Sequence, residues 1–282
     1  PAMVRDTIEA CKEHKADLGI LLDTDADRCG FVVPCSRGKK SFEPLNRNRL
    51  IALLGVLLAR TSPGCSIVTD SVTSEGLSTF LESLGLHHVR YLKGYANVIG
   101  KAKDLTSTGL INAELAIETS GHCAFRENDY LDDGTFCAVK VVSLLATERH
   151  ESKDASLLDL IKELAELDVV AELRMTTKDQ SLATMNQVFD LCALEVESLC
   201  EQTDGWELDS ENLEGIRVRL GSGQFFMLRK SLHDPVISLQ LEAQTLDQAQ
   251  RVTLALMNAF QLEHISSTLD LSALSDYASD QN

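Results

Sequence analysis

Short apolar runs that stop abruptly at an acidic residue set the grammar of the first half of the chain. Residues 18–22 run into Asp23 and residues 66–69 into Asp70, the pattern of buried parallel strands that deliver polar side chains at their carboxyl ends. Open α/β sheets place ligands at such ends. Between the two runs, the apolar positions of 49–60 predict a buried helix, and 74–84 predict another with Ser74 as its N-cap. A strand over 87–91, a helix over 96–105, a strand over 114–118 and a long apolar helix over 134–147 follow, the last one ahead of a charged run at 148–154. This is βαβα order, which predicts a doubly wound layer.

The pattern changes after a helix predicted for 156–166. A strand-like segment at 169–175 and a helix around 185–200 lead to three further strand-like segments, 215–220, 224–229 and 236–242. Leu246, Ala249, Val252, Leu256, Met257 and Phe260 recur at helical spacing, so an amphipathic helix is expected to pack on that sheet. The fold class is therefore α/β, one or more doubly wound mixed-sheet domains followed by an α+β C-terminal domain of roughly 110 residues. The tail from Ser272 is small, polar and acidic, and is expected to fray.

Composition narrows the function. At 282 residues and 44 % apolar side chains the chain can bury a real core and hold about two domains. Against 43 Asp and Glu stand 26 Lys and Arg, a formal charge of −17, and so negative a surface repels nucleic-acid backbones and anionic lipid. Neither nucleic acid nor membrane is expected as a partner. The longest apolar stretch, 50–59, is bracketed by Arg49 and Arg60 and is about half of what a membrane span requires. A small phosphorylated ligand would need a locally positive pocket, which makes each well-placed basic residue informative. The 8 cysteines are scattered, without a C-x-x-C or paired histidine spacing, which points to free thiols in a reducing compartment. The chain opens on Pro1 with no basic-then-apolar leader, and it is expected to be a piece of something longer.

Chemistry concentrates first at Asp23-Thr24-Asp25-Ala26-Asp27-Arg28. In an extended loop, residues at i, i+2 and i+4 point to one side, so three carboxylates converge. Crowded carboxylates suit a hard cation such as Mg²⁺ and otherwise repel one another. A solvated acidic turn is the alternative. An EF-hand is excluded, because Arg28 and Pro34 stand where that loop needs Gly and Glu. A phosphatase of the D-x-D-x-T type would need threonine where Asp27 stands, and an Mg²⁺-dependent aspartyl phosphatase with Asp23 as nucleophile is retained as an alternative.

The string Asp17-Leu-Gly-Ile-Leu-Leu-Asp-Thr-Asp-Ala-Asp-Arg28 resembles the metal loop of the α-D-phosphohexomutases, the phosphoglucomutase and phosphomannomutase superfamily. Three further matches follow in the family's order. Gly94-Tyr-Ala-Asn-Val-Ile99 resembles the loop opening a helix of the third domain. Glu118-Thr-Ser-Gly-His122, with Asp132-Asp133-Gly134 behind it, looks like the sugar-recognition loop. Arg229-Lys-Ser-Leu-His-Asp-Pro235 stands where the family's phosphate loop, usually R-P-S-G-T-E-P, belongs, and departs from it at Leu232, His233 and Asp234. This loop and residues 41–70 look closest to the plant and algal branch.

The resemblance implies phosphoryl transfer between C1 and C6 of glucose or mannose phosphate through a bisphosphate intermediate, with a phosphoserine and Mg²⁺. It also implies three segments. Residues 1–45 would end the second domain and carry the metal loop, 46–166 would form the third, sugar-recognising domain, and 167–282 the fourth, phosphate-binding one. The phosphoserine belongs to the first domain, so these residues alone are expected to bind but not to turn over. A soluble protein of the cytosol or plastid stroma, monomeric or weakly dimeric, is expected.

By the same resemblance Asp23, Asp25 and Asp27 are metal ligands. Arg28, Lys93 and His122 are the catalytic candidates. For Arg28 the alternative is a surface ion pair, for Lys93 mere solvation, and for His122 a hydrogen-bonded loop position; Tyr95 stands where many relatives have histidine. Glu118 and Ser120 would bind vicinal sugar hydroxyls, unless Glu118 caps the helix after Gly134. Arg229, Ser231 and His233 would grip a phosphate, with a plain structural turn as the alternative. Cys29 and Cys123 read as small packing residues. A sugar-phosphate-binding relative without catalysis is the non-enzyme alternative.

Overall fold

The computed structural model describes residues 2–35, 41–109, 111–231 and 234–279. The chain forms two compact units, Pro1–Ala165 and Glu166–Asn282. Among the described residues no helix is long and apolar enough to cross a membrane.

In the first unit, α1 (Ala2–His14) lies against an antiparallel sheet of β1 (Gly19–Leu22), β2 (Cys29–Pro34) and β3 (Phe42–Pro44), in the order β1-β2-β3. Strand alternation divides β2 between two interiors. Val32 packs with Cys11 and Phe42 beneath α1, whereas Phe31 and Val33 join the main core of the unit. The unit continues through α2 (Arg47–Thr61), β4 (Ser66–Asp70), α3 (Glu75–Ser83), β5 (His87–Tyr91), α4 (Tyr95–Ser107), β6 (Ala113–Ile117), β7 (Cys123–Phe125) and α5 (Gly134–Glu151).

The second sheet runs β5-β4-β6-β7, with β4 parallel to both neighbours and β7 antiparallel at one edge. Ile67, Leu115 and Phe125 face α2, α3 and α5, while Val68, Ala116 and Ala124 face Val98 and Ala102 of α4. Helices thus cover both faces, which makes this a doubly wound layer with a mixed sheet. Asn46, Ser74 and Asp133 cap α2, α3 and α5 by accepting a backbone N–H three residues on.

Two sequence expectations are corrected here. The run 18–22 is not a buried parallel strand: β1 pairs only with β2, antiparallel, and leaves Ile20 and Leu22 exposed. A five-residue apolar run carries no signal of strand direction or edge position. The helix predicted for 156–166 is a single 3₁₀ turn, Leu157–Ile161, capped by Ser156 and held by the burial of Leu157 and Ile161.

In the second unit, β8 (Val169–Thr176), α6 (Leu182–Gln202), β9 (Glu207–Leu208), β10 (Ile216–Arg219), β11 (Phe225–Lys230), β12 (Val236–Ala243), α7 (Leu246–Phe260), α8 (Glu263–Ser266) and α9 (Ser272–Ser279) follow in order. The antiparallel sheet runs β8-β12-β11-β10-β9. Phe226, Leu228, Leu239 and Leu241 pack against Val188 and Cys192 of α6 and Val252 and Leu256 of α7. Over Ser272–Ser279 the expected fraying is not seen: this segment is helical, packs on α7 and buries Leu274 completely. Leu271, Leu274 and Tyr277 form an apolar stripe at three-residue spacing within an otherwise polar segment.

Candidate active site

The metal-loop candidate is the tip of the β1–β2 hairpin. It is a tight turn rather than an extended loop: the Ala26 N–H donates to the Asp23 carbonyl at 3.3 Å, and Ala26 takes a left-handed φ of 60°. The turn, not strand alternation, brings one oxygen each of Asp23, Asp25 and Asp27 within 4.8 Å of one another. Arg28 closes the turn, its backbone N–H donating to Asp23 Oδ1 at 3.2 Å and its Nε to Asp23 Oδ2 at 2.6 Å. Partial desolvation works to raise the Asp23 pKa, but the Arg28 hydrogen bonds and charge together lower it. Arg28 Nε also lies 3.8 Å from Asp27. The ion pair considered for Arg28 is therefore present, and it lies inside the metal loop. Asp27 Oδ1 is shut off from solvent and accepts no hydrogen bond among the described residues. An oxygen-only donor set with one such oxygen fits a hard divalent cation.

The N-terminus of α5 abuts this tip. Gly134 donates its N–H to the Ala26 carbonyl at 3.0 Å, and a Cβ on Gly134 would come within 2.7 Å of the Arg28 carbonyl carbon. Only glycine fits there, which explains the Asp132-Asp133-Gly134 string in physical terms.

The sugar-loop candidate turns β6 into β7. The Glu118 N–H donates to the His122 carbonyl at 2.9 Å and the Gly121 N–H to the Glu118 carbonyl at 3.0 Å, with Gly121 at a φ of 105°. Glu118 is buried; its Oε1 accepts the Gly94 N–H at 2.6 Å and its Oε2 the Ser120 hydroxyl at 3.0 Å. Glu118 therefore serves the start of α4, while the helix after Gly134 is capped by Asp133. Thr119 is held from behind, its N–H and hydroxyl donating to Asp70 Oδ2 at 3.1 and 2.5 Å. Burial pushes the Asp70 carboxyl up to about 6, against the pull of Thr119 and of the Lys93 charge. Lys93 therefore lies close enough to the end of β4 for its charge to act on Asp70.

Tip and loop are joined directly. Arg28 and His122 form an isolated antiparallel bridge, and the Cys29 N–H donates to the Gly121 carbonyl at 3.4 Å. His122 Nδ1 lies 2.7 Å from Asp132 Oδ2 and 3.6 Å from Asp27 Oδ2, and its ring centroid is 4.9 Å from that of Tyr95. His122 is thus a hydrogen-bonded loop residue at the edge of the acidic tip. Cys29, Cys123 and Cys137 are buried thiols with raised pKa values, Cys29 and Cys137 first through hydrogen bonding among the three and then through burial, Cys123 through burial. A cleft of ≈ 410 Å³ is lined by Asp23, Arg28, Arg47, Glu118, Thr119 and Ser120 among others. Arg47 and the two buried-side partners Asp70 and Asp132 escaped sequence reasoning as site residues. Asp70 had a signal, its place after an apolar strand; Arg47 had only its charge in an acidic chain.

In the second unit, the phosphate-loop candidate joins β11 to β12. Arg229, near the end of β11, has its guanidinium 3.8 Å from Glu172 of β8 and is largely buried. The Ser231 N–H donates to the Val236 carbonyl at 2.9 Å, and its hydroxyl oxygen accepts the Asp234 N–H at 3.3 Å. His233 lies outside the described residues.

Comparison with known proteins finds similar sequences and folds. Residues 46–167 fit the family model "Phosphoglucomutase/phosphomannomutase, alpha/beta/alpha domain III". A phosphomannomutase/phosphoglucomutase of Pseudomonas aeruginosa is 26 % identical over 271 residues, covering 95 % of this chain and 52 % of the relative. A phosphoglucosamine mutase of Sphingopyxis alaskensis is 30 % identical over 167 residues, 58 % of this chain and 34 % of its own. The chain spans about half the length of the first of these curated relatives. In fold it is similar to a phosphoglucomutase/phosphomannomutase family protein of Burkholderia thailandensis, with a TM-score of 0.71 at 24 % identity over 92 % of this chain and 49 % of that one. Parafusin of Paramecium, in its open form, gives a TM-score of 0.58 at 17 % identity over 99 % of this chain and 50 % of its own. Residues 46–167 thus fit a domain of the phosphoglucomutase/phosphomannomutase family, and along nearly its whole length the chain is similar to members of the α-D-phosphohexomutase superfamily.

Proposed function

We propose that this chain is the part of an Mg²⁺-dependent phosphohexose mutase that holds metal, sugar and the phosphate not being transferred. Residues 1–45 supply the metal loop, 46–166 the sugar loop and 167–282 the phosphate loop. The observation that carries the reading is the meeting of Asp23 of the acidic tip, Arg28 and the Glu118–Ser120 pair around one cleft. The names of the relatives, phosphomannomutase and phosphoglucomutase, support a hexose phosphate as substrate.

Asp23, Asp25 and Asp27 would hold Mg²⁺, which when bound spreads the charge of the transferring phosphoryl group. Arg28, braced by Asp23, offers its guanidinium to a phosphate oxygen. Glu118 and Ser120 exchange their mutual hydrogen bond for bonds to vicinal sugar hydroxyls. His122, engaged through Nδ1 by Asp132, keeps Nε2 for proton exchange with the reacting hydroxyl, and Lys93 adds positive charge close to the end of β4. Arg229 and Ser231 receive the phosphate that stays in place. The phosphoserine comes from outside these 282 residues, and the scattered free thiols fit a reducing compartment, cytosol or plastid stroma. The aspartyl-phosphatase reading is disfavoured, because Asp27 stands where the D-x-D-x-T pattern needs threonine.

Titration calorimetry with glucose 1-phosphate and Mg²⁺ tests the assignment. Glu118→Gln and Ser120→Ala should each weaken binding by about tenfold, the order of one hydrogen bond to a charged group. Undiminished binding in both variants would remove the sugar site from this cleft.

A further inference from the structure

Asp70 ends β4 with its side chain fully buried, yet its carboxylate serves a loop 49 residues further along the chain. Oδ2 alone takes both bonds from Thr119, while Oδ1 is buried and accepts no hydrogen bond among the described residues. Such a group costs stability relative to an apolar residue in the same place, and a local rule broken in a well-packed interior marks a functional constraint.

The backbone that carries Asp70 is held in place. The hydroxyls of Thr69 and Thr73 donate to its carbonyl at 3.1 and 3.3 Å. Thr69 is bonded in turn to His88 at 2.8 Å and Thr73 to Arg90 Nε at 3.1 Å, both on β5. The carboxylate is thus a fixed post at the carboxyl end of the central strand, and the loop hangs from it by one residue. Thr119 stands between Glu118 and Ser120, so its two bonds fix the backbone from which both cleft-lining side chains project.

We propose that Asp70 is a positioning residue for the sugar loop: by holding the N–H and hydroxyl of Thr119 on a single oxygen it sets the spacing and direction of Glu118 and Ser120. The functional half of this rests on the reading that those two residues meet the sugar; the clamp itself does not.

Three variants and three measurements separate these halves. Asp70→Ala removes the acceptor, Asp70→Asn keeps an oxygen where Oδ2 lies, and Thr119→Val removes only the hydroxyl bond. In ligand-free protein, hydrogen exchange at the Thr119 amide should speed up about 100-fold in Asp70→Ala and stay within about threefold of the parent in Asp70→Asn. The Kd for glucose 1-phosphate with Mg²⁺ should rise about tenfold in Asp70→Ala, less in Thr119→Val, and be restored by Asp70→Asn, while the Kd for Mn²⁺ alone stays put in all three. Unchanged amide protection in Asp70→Ala, failure of Asp70→Asn to rescue, or equal loss of Mn²⁺ and sugar phosphate overturns the proposal. If Asp70→Ala does not fold, faster exchange and weaker sugar binding in Thr119→Val support the clamp, and parent-like values for both refute it. Should the parent bind no hexose phosphate at all, the mutase reading falls while the exchange data still decide the clamp.

Discussion

His122 donates from Nδ1 to Asp132, 2.7 Å away, and Asp132 is itself oriented by the Cys123 N–H on its other oxygen at 3.0 Å. A carboxylate fixed in this way selects the imidazole tautomer with the proton on Nδ1 and the lone pair on Nε2. At pH 8.5, where an ordinary imidazole is neutral, long-range ¹H–¹⁵N spectra should show that tautomer for His122 in the parent and a shift toward the Nε2-protonated form in Asp132→Ala. The same tautomer in both proteins would mean that Asp132 does not direct the ring.

The acidic tip should prefer Mg²⁺ or Mn²⁺ to zinc, because every donor is an oxygen. Asp25 is exposed and is not one of the carboxylates that Arg28 hydrogen-bonds, so Asp25→Asn leaves the Arg28–Asp23 closure in place and removes one proposed ligand. Mn²⁺ affinity, read by calorimetry, should drop by at least about tenfold. Parent-like affinity in Asp25→Asn would take the metal out of this turn.

Arg229 is a largely buried guanidinium with only Glu172, at 3.8 Å, as its ion-pair neighbour among the described residues. Its replacement by Ala deletes a charge-assisted contact of about 1.5–3 kcal/mol, so hexose phosphate should bind about tenfold to a hundredfold more weakly while free hexose is little affected. Equal loss for both ligands would assign Arg229 to folding.

Asp70 also makes stability depend on pH in a stated direction. Burial raises its carboxyl from an ordinary 3.8 to about 6, so the folded protein holds this proton more tightly than the unfolded chain does. Below pH 3.8 both states carry the proton and the site costs nothing; from there to pH 6 stability falls as pH rises, by about 2–3 kcal/mol, and above pH 6 the cost is constant. Asp70→Asn has no proton to lose, so its stability relative to the parent should improve by that amount between pH 4 and pH 7.5. Urea unfolding at the two pH values measures it, and a pH-independent difference would show that the carboxylate is not desolvated.

Regular periodicity was legible where packing is simple. The apolar run of α2, the helical spacing of α7 and the Ser74 cap of α3 read directly, because α2 is buried nearly all round, α7 buries one face and the cap satisfies one local N–H. The run at 18–22 showed a strand but not its edge position, since pairing direction is decided by what lies across from it. α9 hid Leu274 and Tyr277 in a polar segment. At the site, the identities of Asp23, Asp25, Asp27, Glu118 and Ser120 were readable from motif, but their conformations were not. The left-handed Ala26, the bond from Gly94 to Glu118 and the clamp from Asp70 to Thr119 all depend on partners that local sequence does not announce.

The bridge between Arg28 and His122 joins the outer hairpin to the turn between β6 and β7, segments separated by most of the doubly wound layer. Closing so long a loop is entropically expensive until the intervening helices and strands have already paired. The expected order of folding is that the helices and the parallel β4–β5 and β4–β6 ladders condense first and the hairpin tip docks last. A chain caught before that step would have a finished interior and an unassembled site, so loss of ligand binding on gentle denaturation should precede loss of helix content.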